Sequence, residues 1–293
     1  MDSKSIYTIN NIGTNISLSS TRALEKGLVI YLPEDGFICT KEDAELFTDQ
    51  ILAPKEKNIS YQIKSKKLSG IHKKHQGTTI QVQAADMMQR FAEYSKSLIS
   101  TLFPKYEGYY TMGRTSYRPA QVANRRTSLL KDDSKLHVDA FSSSPINGQR
   151  ILRVFANINP HQQPRIWNIG ESFDEVLAAF ASYFTAYNQF KSYAMHLCRI
   201  TKTRRSAYDH YMLELHNNMK LNEHYQNGVT KQNIAFPSNT SWIAYTDQVS
   251  HAALSGQFLL EQTFYLPVDA LENKKTSPLM KLKKLMPDQQ LIL

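Results

Sequence analysis

The stretch "LHVDAFSSSPINGQRILRVFANINP" (Leu136–Pro160) decides how this chain reads. Its first half sets His137 and Asp139 two residues apart, and its second half places Arg153 in an apolar run between Ile151 and Phe155 with no acid close by. Alternate residues of a strand share a face, so His137 and Asp139 point one way together, as do Ile151, Arg153 and Phe155. A buried guanidinium without an anionic partner is costly. The stretch therefore predicts strands that carry polar groups into an apolar interior.

His-x-Asp alone is weak: with nine histidines and Asp at about one position in twenty, roughly 0.4 chance matches are expected. A third ligand strengthens it, and His251, inside "TDQVSHAALSGQ" in a later group of strands, is the natural choice. Two imidazoles and a carboxylate on one face of an ion leave the opposite positions open, which is the arrangement of non-haem Fe(II) oxygenases. Zinc hydrolysis from the same ligands is the chemical rival.

An arginine is suited to grip a dicarboxylate with two parallel hydrogen bonds, and 2-oxoglutarate is the acid that such an iron centre uses. In "QFLLEQTFYL" the face of Phe258, Leu260, Phe264 and Leu266 is apolar, yet Gln262 belongs to it, and buried polar groups need partners. Arg153 and Gln262 are thus expected to reach one small polar ligand between two sheets. The plainer alternative pairs Arg153 with a distant Asp or Glu and Gln262 with backbone.

Outward from this stretch, "GLVIYLP" reads as a buried strand, and "TKEDAELFTDQI" starts as a helix does, with Thr followed by acids. "KSKKLSGIHKKHQG" is basic and non-periodic, a solvated loop. Apolar residues from Val82 to Leu102 follow helical spacing. "YEGYYTMGRTSYRP" reads as a strand, "NPHQQPRIW" as a loop, Phe173 to Phe190 as one long helical pattern and Ala207 to Tyr225 as a second. "SWIAYTD", "VSHAAL" and "QFLLEQTFYLP" return to strands, and "SPLMKLKKLMP" is a C-terminal helix or a segment that rests on a lipid surface. Strands on both sides of a helical insertion predict a mainly β, α+β chain closed by distant segments. One domain over 1–293 is expected, with support at about 17–105, a core at about 106–268 interrupted by helices at about 171–226, and a basic tail at about 269–293.

The 293 residues carry 35 Lys+Arg against 26 Asp+Glu, net +9, which favours an anionic partner such as phosphates, lipid head groups or acidic sugars. Hydrophobic residues at 41%, with 11 Gly and 11 Pro, are ordinary for a globular chain. No signal-peptide pattern or run of about 18 apolar residues occurs, so a cytoplasmic protein is expected. Two cysteines without ligand spacing argue against a disulfide framework or a structural zinc site. Aromatic residues at strand and helix spacing argue against a nucleic-acid binder, and no obligate protein partner is inferred.

At these residues the chain resembles the Fe(II)/2-oxoglutarate-dependent Kdo hydroxylases, enzymes of Gram-negative bacteria that add a 3-hydroxyl to the Kdo sugar of the lipopolysaccharide inner core. The likeness rests on "KNIS" (Lys57–Ser60), "RTSYRP" (Arg114–Pro119), "KDDSKLHVDAFSSSP" (Lys131–Pro145), "RILRVFANINP" (Arg150–Pro160) and "TDQVSHAALSGQFLLEQTFYLP" (Thr246–Pro267), and it runs from about Leu28 to Pro278. It implies a double-stranded β-helix (jelly-roll, cupin-like) core, iron on His137, Asp139 and His251, and a reaction of 2-oxoglutarate and O2 that hydroxylates carbon 3 of Kdo in Kdo-lipid A and releases succinate and CO2. Many such oxygenases place a base ten or so residues after the second histidine, where Glu261, Gln262 and Thr263 stand here. The cosubstrate anchor is therefore expected earlier, at Arg153 first and Arg150 second, with Gln262 assisting. Arg118, Arg125 and Lys131 are candidates for the mouth of the site, on an enzyme that touches the inner face of the bacterial inner membrane. The competing readings are an oxygenase for another acidic glycan or small molecule, and a non-catalytic barrel that binds anionic lipid.

Overall fold

The computed structural model describes residues 5–12, 17–123 and 128–293. Strand β1 (Ile6–Thr8), helix α1 (Ser17–Glu25) and β2 (Val29–Leu32) lead to the hairpin of β3 (Ile59–Gln62) and β4 (Lys67–Ser69), and then to the long α2 (Thr79–Leu102). After β5 (Thr111–Arg118), β6 (Arg150–Asn157) and β7 (Arg165–Ile169) come four helices: α3 (Phe173–Phe180), α4 (Gln189–Leu197), α5 (Ala207–Leu221) and α6 (Glu223–Gly228). The chain then adds β8 (Gln232–Phe236), β9 (Thr240–Tyr245), β10 (His251–Ser255) and β11 (Leu259–Leu266), and ends with α7 (Pro278–Leu285). The strands form a large sheet, ordered β1-β2-β9-β6-β11-β5-β3-β4, and a small one, ordered β10-β7-β8. From β6 onward the chain crosses between the sheets, with β6, β9 and β11 in the large one and β7, β8 and β10 in the small one, as in a double-stranded β-helix, and the chain is mainly β with flanking helices, as expected.

The period-two pattern of the large sheet separates two cores. Leu152, Val154 and Ala156 of β6, Ile243 of β9 and Leu260 and Phe264 of β11 pack with Met87, Met88 and Phe91 of α2. Side chains on the other face, Phe155, Trp242 and Leu259, meet Trp167, Ile234, Phe236 and Ala253 of the small sheet, with Trp242 stacked on Phe236 at 4.1 Å between ring centroids. Arg153 lies on the Phe155 face and so points between the sheets. Gln262 lies on the Leu260 face and points toward α2. A third core joins Leu136 and Val138 to α3 and α5, so the helical insertion braces the segment that carries His137 and Asp139.

Several expectations give way for physical reasons. The "TKEDAELFTDQI" segment makes two 3-10 turns, Glu42–Leu46 and Asp49–Ile51, rather than a helix. Asp43, which would have charged a helix start, is instead drawn inward by Arg90 at 2.7 Å. "RIWNI" is strand β7, although the prolines and polar residues before it read as loop; its alternate residues Arg165, Trp167 and Ile169 are the buried ones. The pattern from Phe173 to Phe190 breaks after α3, because the Thr185 amide and hydroxyl both donate to the Glu214 carboxylate and Asn188 caps a new helix by accepting from the Lys191 amide at 2.9 Å. The basic segment after β3 contains β4 and a turn at Lys73–His75. In the tail, α7 sets Leu279 and Leu282, and Met286 just past it, against the third core, as a C-terminal helix packed on the molecule.

Candidate active site

The segment Leu136–Asp139 is extended but joins the small sheet by a single bridge. The His137 amide donates to the His251 carbonyl at 3.0 Å and the His251 amide to the His137 carbonyl at 2.9 Å. This register sets the two imidazoles side by side, with centroids 4.6 Å apart. The Asp139 amide donates to the Thr246 carbonyl at 2.7 Å, fixing the carboxylate on the same side, and Asp139 Oδ1 stands 3.7 Å from His137 Nε2. One ligand atom from each of His137, Asp139 and His251 falls within 4.8 Å of the others.

The donor chemistry fits a metal ion. His137 Nδ1 faces the Lys135 carbonyl and His251 Nδ1 the Val249 carbonyl, each at 2.8 Å. A carbonyl can only accept, so each Nδ1 carries the proton and each Nε2 keeps its lone pair for an ion. Burial, together with the neighbouring His251 and Lys220, holds the His137 imidazole well below its ordinary pKa, and burial also lowers that of His251. Burial would raise the Asp139 carboxyl, but Arg153 and the two imidazoles hold it below the usual carboxylate range. Its Oδ2 is buried with no hydrogen-bond partner, although Arg153 Nη2 forms an ion pair with it at 3.3 Å. Two neutral imidazoles and an anionic carboxylate are the state that binds a divalent cation.

Around this centre the sequence-based assignments sort themselves. The guanidinium of Arg153 is answered by Glu261 at 2.9 Å as well as by Asp139, so no bound dicarboxylate is required to balance it. This is a correction, and its source is cross-strand: Arg153 pairs with Thr263 and Glu261 with Phe155, which puts Glu261 on the inter-sheet face one diagonal from Arg153. Gln262 does not join Arg153. It accepts from the Thr115 hydroxyl at 2.6 Å and donates to the Thr263 carbonyl at 2.8 Å on the α2 side of the sheet. Arg150 is fully buried on that same side, bound to Asp247 (Nε to Oδ2, 2.7 Å) and Gln248 (2.7 Å) and lying 3.8 Å over the Tyr245 ring. Neither Gln262 nor Arg150 can serve a cosubstrate between the sheets.

The residue that sequence reasoning missed is Arg165. Its side chain shares the inward face of β7 with Trp167, whose indole stacks on the His251 imidazole at 5.0 Å. Arg165 is 3% exposed, donates from Nη1 to the Gly256 carbonyl at 2.9 Å, and leaves Nε without a partner. Among the described residues it forms no ion pair, and burial with the nearby Arg118 pushes its pKa down to about 9. Gly256 makes room for it: a Cβ there would meet Arg165 Cδ at 2.7 Å, and its φ of +115° is strained for any other residue. The visible signal was the apolar alternation of "RIWNI", hidden by the adjoining prolines.

Beside Arg153 opens a cavity of about 1180 Å³ whose lining includes Lys64, Arg114, Arg118, Arg153, Lys202 and Arg204 but, among the described residues, one acidic side chain, Glu261. Arg118 reaches it while paired to Glu261 at 3.0 Å and Asp133 at 3.7 Å. Lys131 is exposed and does not line the cavity. Arg125 lies outside the described residues.

A facial set of two histidines and a carboxylate between the sheets of a double-stranded β-helix defines the class of non-haem metal oxygenases. The chain belongs to the family described as 3-deoxy-D-manno-oct-2-ulosonic acid (Kdo) hydroxylase, matched over residues 10–289. It is similar to solved structures of the Kdo hydroxylase KdoO, a non-haem Fe(II) α-ketoglutarate-dependent dioxygenase. The cobalt(II) complex of KdoO and its complex with α-ketoglutarate and Fe(III) are each 38% identical, with a TM-score of 0.93, covering 99% of this chain and 98% of the other. The complex with succinate and Fe(III) gives 37% and 0.92 over the same spans. No curated protein matches the chain.

Proposed function

We propose that this Fe(II)- and 2-oxoglutarate-dependent dioxygenase of the Kdo hydroxylase family acts on carbon 3 of Kdo in Kdo-lipid A, at the inner face of the bacterial inner membrane, with iron held by His137, Asp139 and His251. When bound, iron and 2-oxoglutarate supply the activation of O2 that turns a C–H bond into C–OH and yields succinate and CO2. The chain's own part is positioning. The Lys135 and Val249 carbonyls keep both Nε2 atoms available, and Arg153 steadies Asp139. Arg165, a buried cation with no carboxylate in contact, anchors the distal carboxylate of 2-oxoglutarate. The cationic cavity beside Arg153 takes the acidic sugar, with Arg118 held ready by Glu261.

The observation that carries this reading is the convergence of the three ligand atoms within 4.8 Å, beside a cavity lined by six cationic side chains and one acidic side chain. The test is anaerobic loading with Fe(II), addition of 2-oxoglutarate and O2, and mass spectrometry of Kdo-lipid A. A gain of one oxygen matched by succinate release is expected. Absence of that gain on every Kdo-bearing acceptor would overturn it in favour of another acidic glycan.

A further inference from the structure

Helix α4 presents an apolar face to solvent. Phe190, Tyr193 and Leu197 recur at helical spacing and so lie on one side. They are 88%, 56% and 70% exposed, and Ile200, just past the helix, is 58% exposed. Scattered exposed apolar residues need no explanation, but a row of them on one helix face does. The helix is also firmly placed. The Tyr187 hydroxyl and the Ser192 hydroxyl both donate to the Arg205 carbonyl, at 2.7 and 2.6 Å. The Lys202 amide donates to the Ser143 carbonyl at 2.9 Å and Arg205 Nη2 to the Ser142 carbonyl at 2.6 Å. The segment that follows Asp139 therefore holds this face outward.

Its charge names the occupant. From Ala186 to Ser206 the chain carries Lys191, Arg199, Lys202, Arg204 and Arg205 and no Asp or Glu. Aromatic and aliphatic side chains ringed by cations complement an anionic lipid interface, where rings enter the head-group layer and cations meet phosphates. A second copy docked on this face by a two-fold axis would set the same cations against themselves. Lys202, Thr203 and Arg204 also line the cavity beside Arg153, so the patch borders the mouth of the site.

We propose that α4 and the basic turn after it are a membrane-docking face, seated on an anionic bilayer with Phe190, Tyr193, Leu197 and Ile200 in the head-group layer and the cavity mouth turned to the lipid. The advantage to catalysis rests on the reading that the acceptor is a lipid-anchored Kdo; the docking itself does not.

The metal-loaded protein carrying Phe190→Trp tests it, because both native tryptophans, Trp167 and Trp242, are buried. Mixed with phosphatidylglycerol-containing vesicles, it should show a blue-shifted emission and sediment with them. Pure phosphatidylcholine vesicles should produce neither effect, and added salt should weaken both. In the otherwise native protein, Phe190→Glu with Leu197→Glu should lower vesicle partitioning by at least about tenfold. The same pair should slow hydroxylation of vesicle-embedded acceptor while leaving a delipidated, soluble Kdo acceptor unaffected. No emission shift, or undiminished sedimentation of the double variant, overturns the proposal. So does a native dimer that the double variant dissociates, since the face would then be an interface between copies. If no acceptor of any form is hydroxylated, the functional reading fails while the vesicle measurements still decide the docking.

Discussion

Three arginines enter the interior of this molecule in different company. Arg150 is held by Asp247, Gln248 and the Tyr245 ring, with only Nη1 left without a hydrogen bond. Removing the carboxylate with Asp247→Ala leaves a charge buried alone, and such losses cost roughly 3–5 kcal/mol. Urea unfolding should register that fall, with 2-oxoglutarate affinity of the folded protein unchanged; a specific loss of cosubstrate binding at normal stability would contradict the structural role. Arg153 and Arg165 form the sharper pair. Arg153 touches a metal-ligand candidate, Asp139, and disturbance of such supporting groups typically costs 10–100-fold in metal affinity. Arg153→Ala should weaken Fe(II) binding, while Arg165→Ala should weaken 2-oxoglutarate binding to the Fe(II)-loaded protein and spare the metal. Anaerobic titrations of each ligand decide it, and the reverse pattern would return the anchor to Arg153. The sequence made the anomaly at Arg153 readable because its own strand is apolar. Its partner Glu261 was in view too, but only cross-strand register says that it, rather than Gln262, shares the inter-sheet face.

Elements placed by their own periodicity were legible, whereas those placed by partners were not. Helix α2 announces itself because Ala84, Met87, Met88, Phe91 and Leu98 all serve one core. The break between α3 and α4 depends on Glu214, a residue of another helix, and β7 is strand because β8 and β10 flank it. Helix α5 shows how one residue joins an element to the site. Asp209 completes its capping box with Ser206, and its Oδ1 also accepts from the Ile146 amide at 2.8 Å and the Asn147 amide at 3.1 Å. Ile146 and Asn147 line the cavity. Asp209→Ala therefore removes a cap and leaves two part-buried amides without their carboxylate, at roughly 1–2 kcal/mol. Because the loosened loop shapes the acceptor cavity rather than the metal site, KM for the Kdo acceptor should rise while the Kd of 2-oxoglutarate holds. Equal changes in both would place the loop's influence on the metal centre instead.

On the scale of the whole molecule, the candidate metal centre would reinforce a junction between distant parts of the chain that is otherwise made by one bridge and a few backbone hydrogen bonds. His137 and Asp139 stand on an extended segment held by one bridge and braced by the helical insertion, while His251 opens β10 in the small sheet. An ion shared by these residues exists only in the folded state, so its binding free energy adds to folding stability. At a free metal concentration one hundred times the Kd the gain is about 2.7 kcal/mol, which at roughly 2–4 °C per kcal/mol for a large domain raises the Tm by about 5–10 °C. Cobalt(II), present in one KdoO structure, allows the measurement in air by scanning calorimetry. The rise should vanish in Asp139→Ala, and 2-oxoglutarate should add a further rise only when metal is present, because its other end requires the ion. A cosubstrate effect of equal size without metal would mean that Arg165 holds the acid unaided. A metal effect that survives Asp139→Ala would mean that the stabilising ion sits elsewhere.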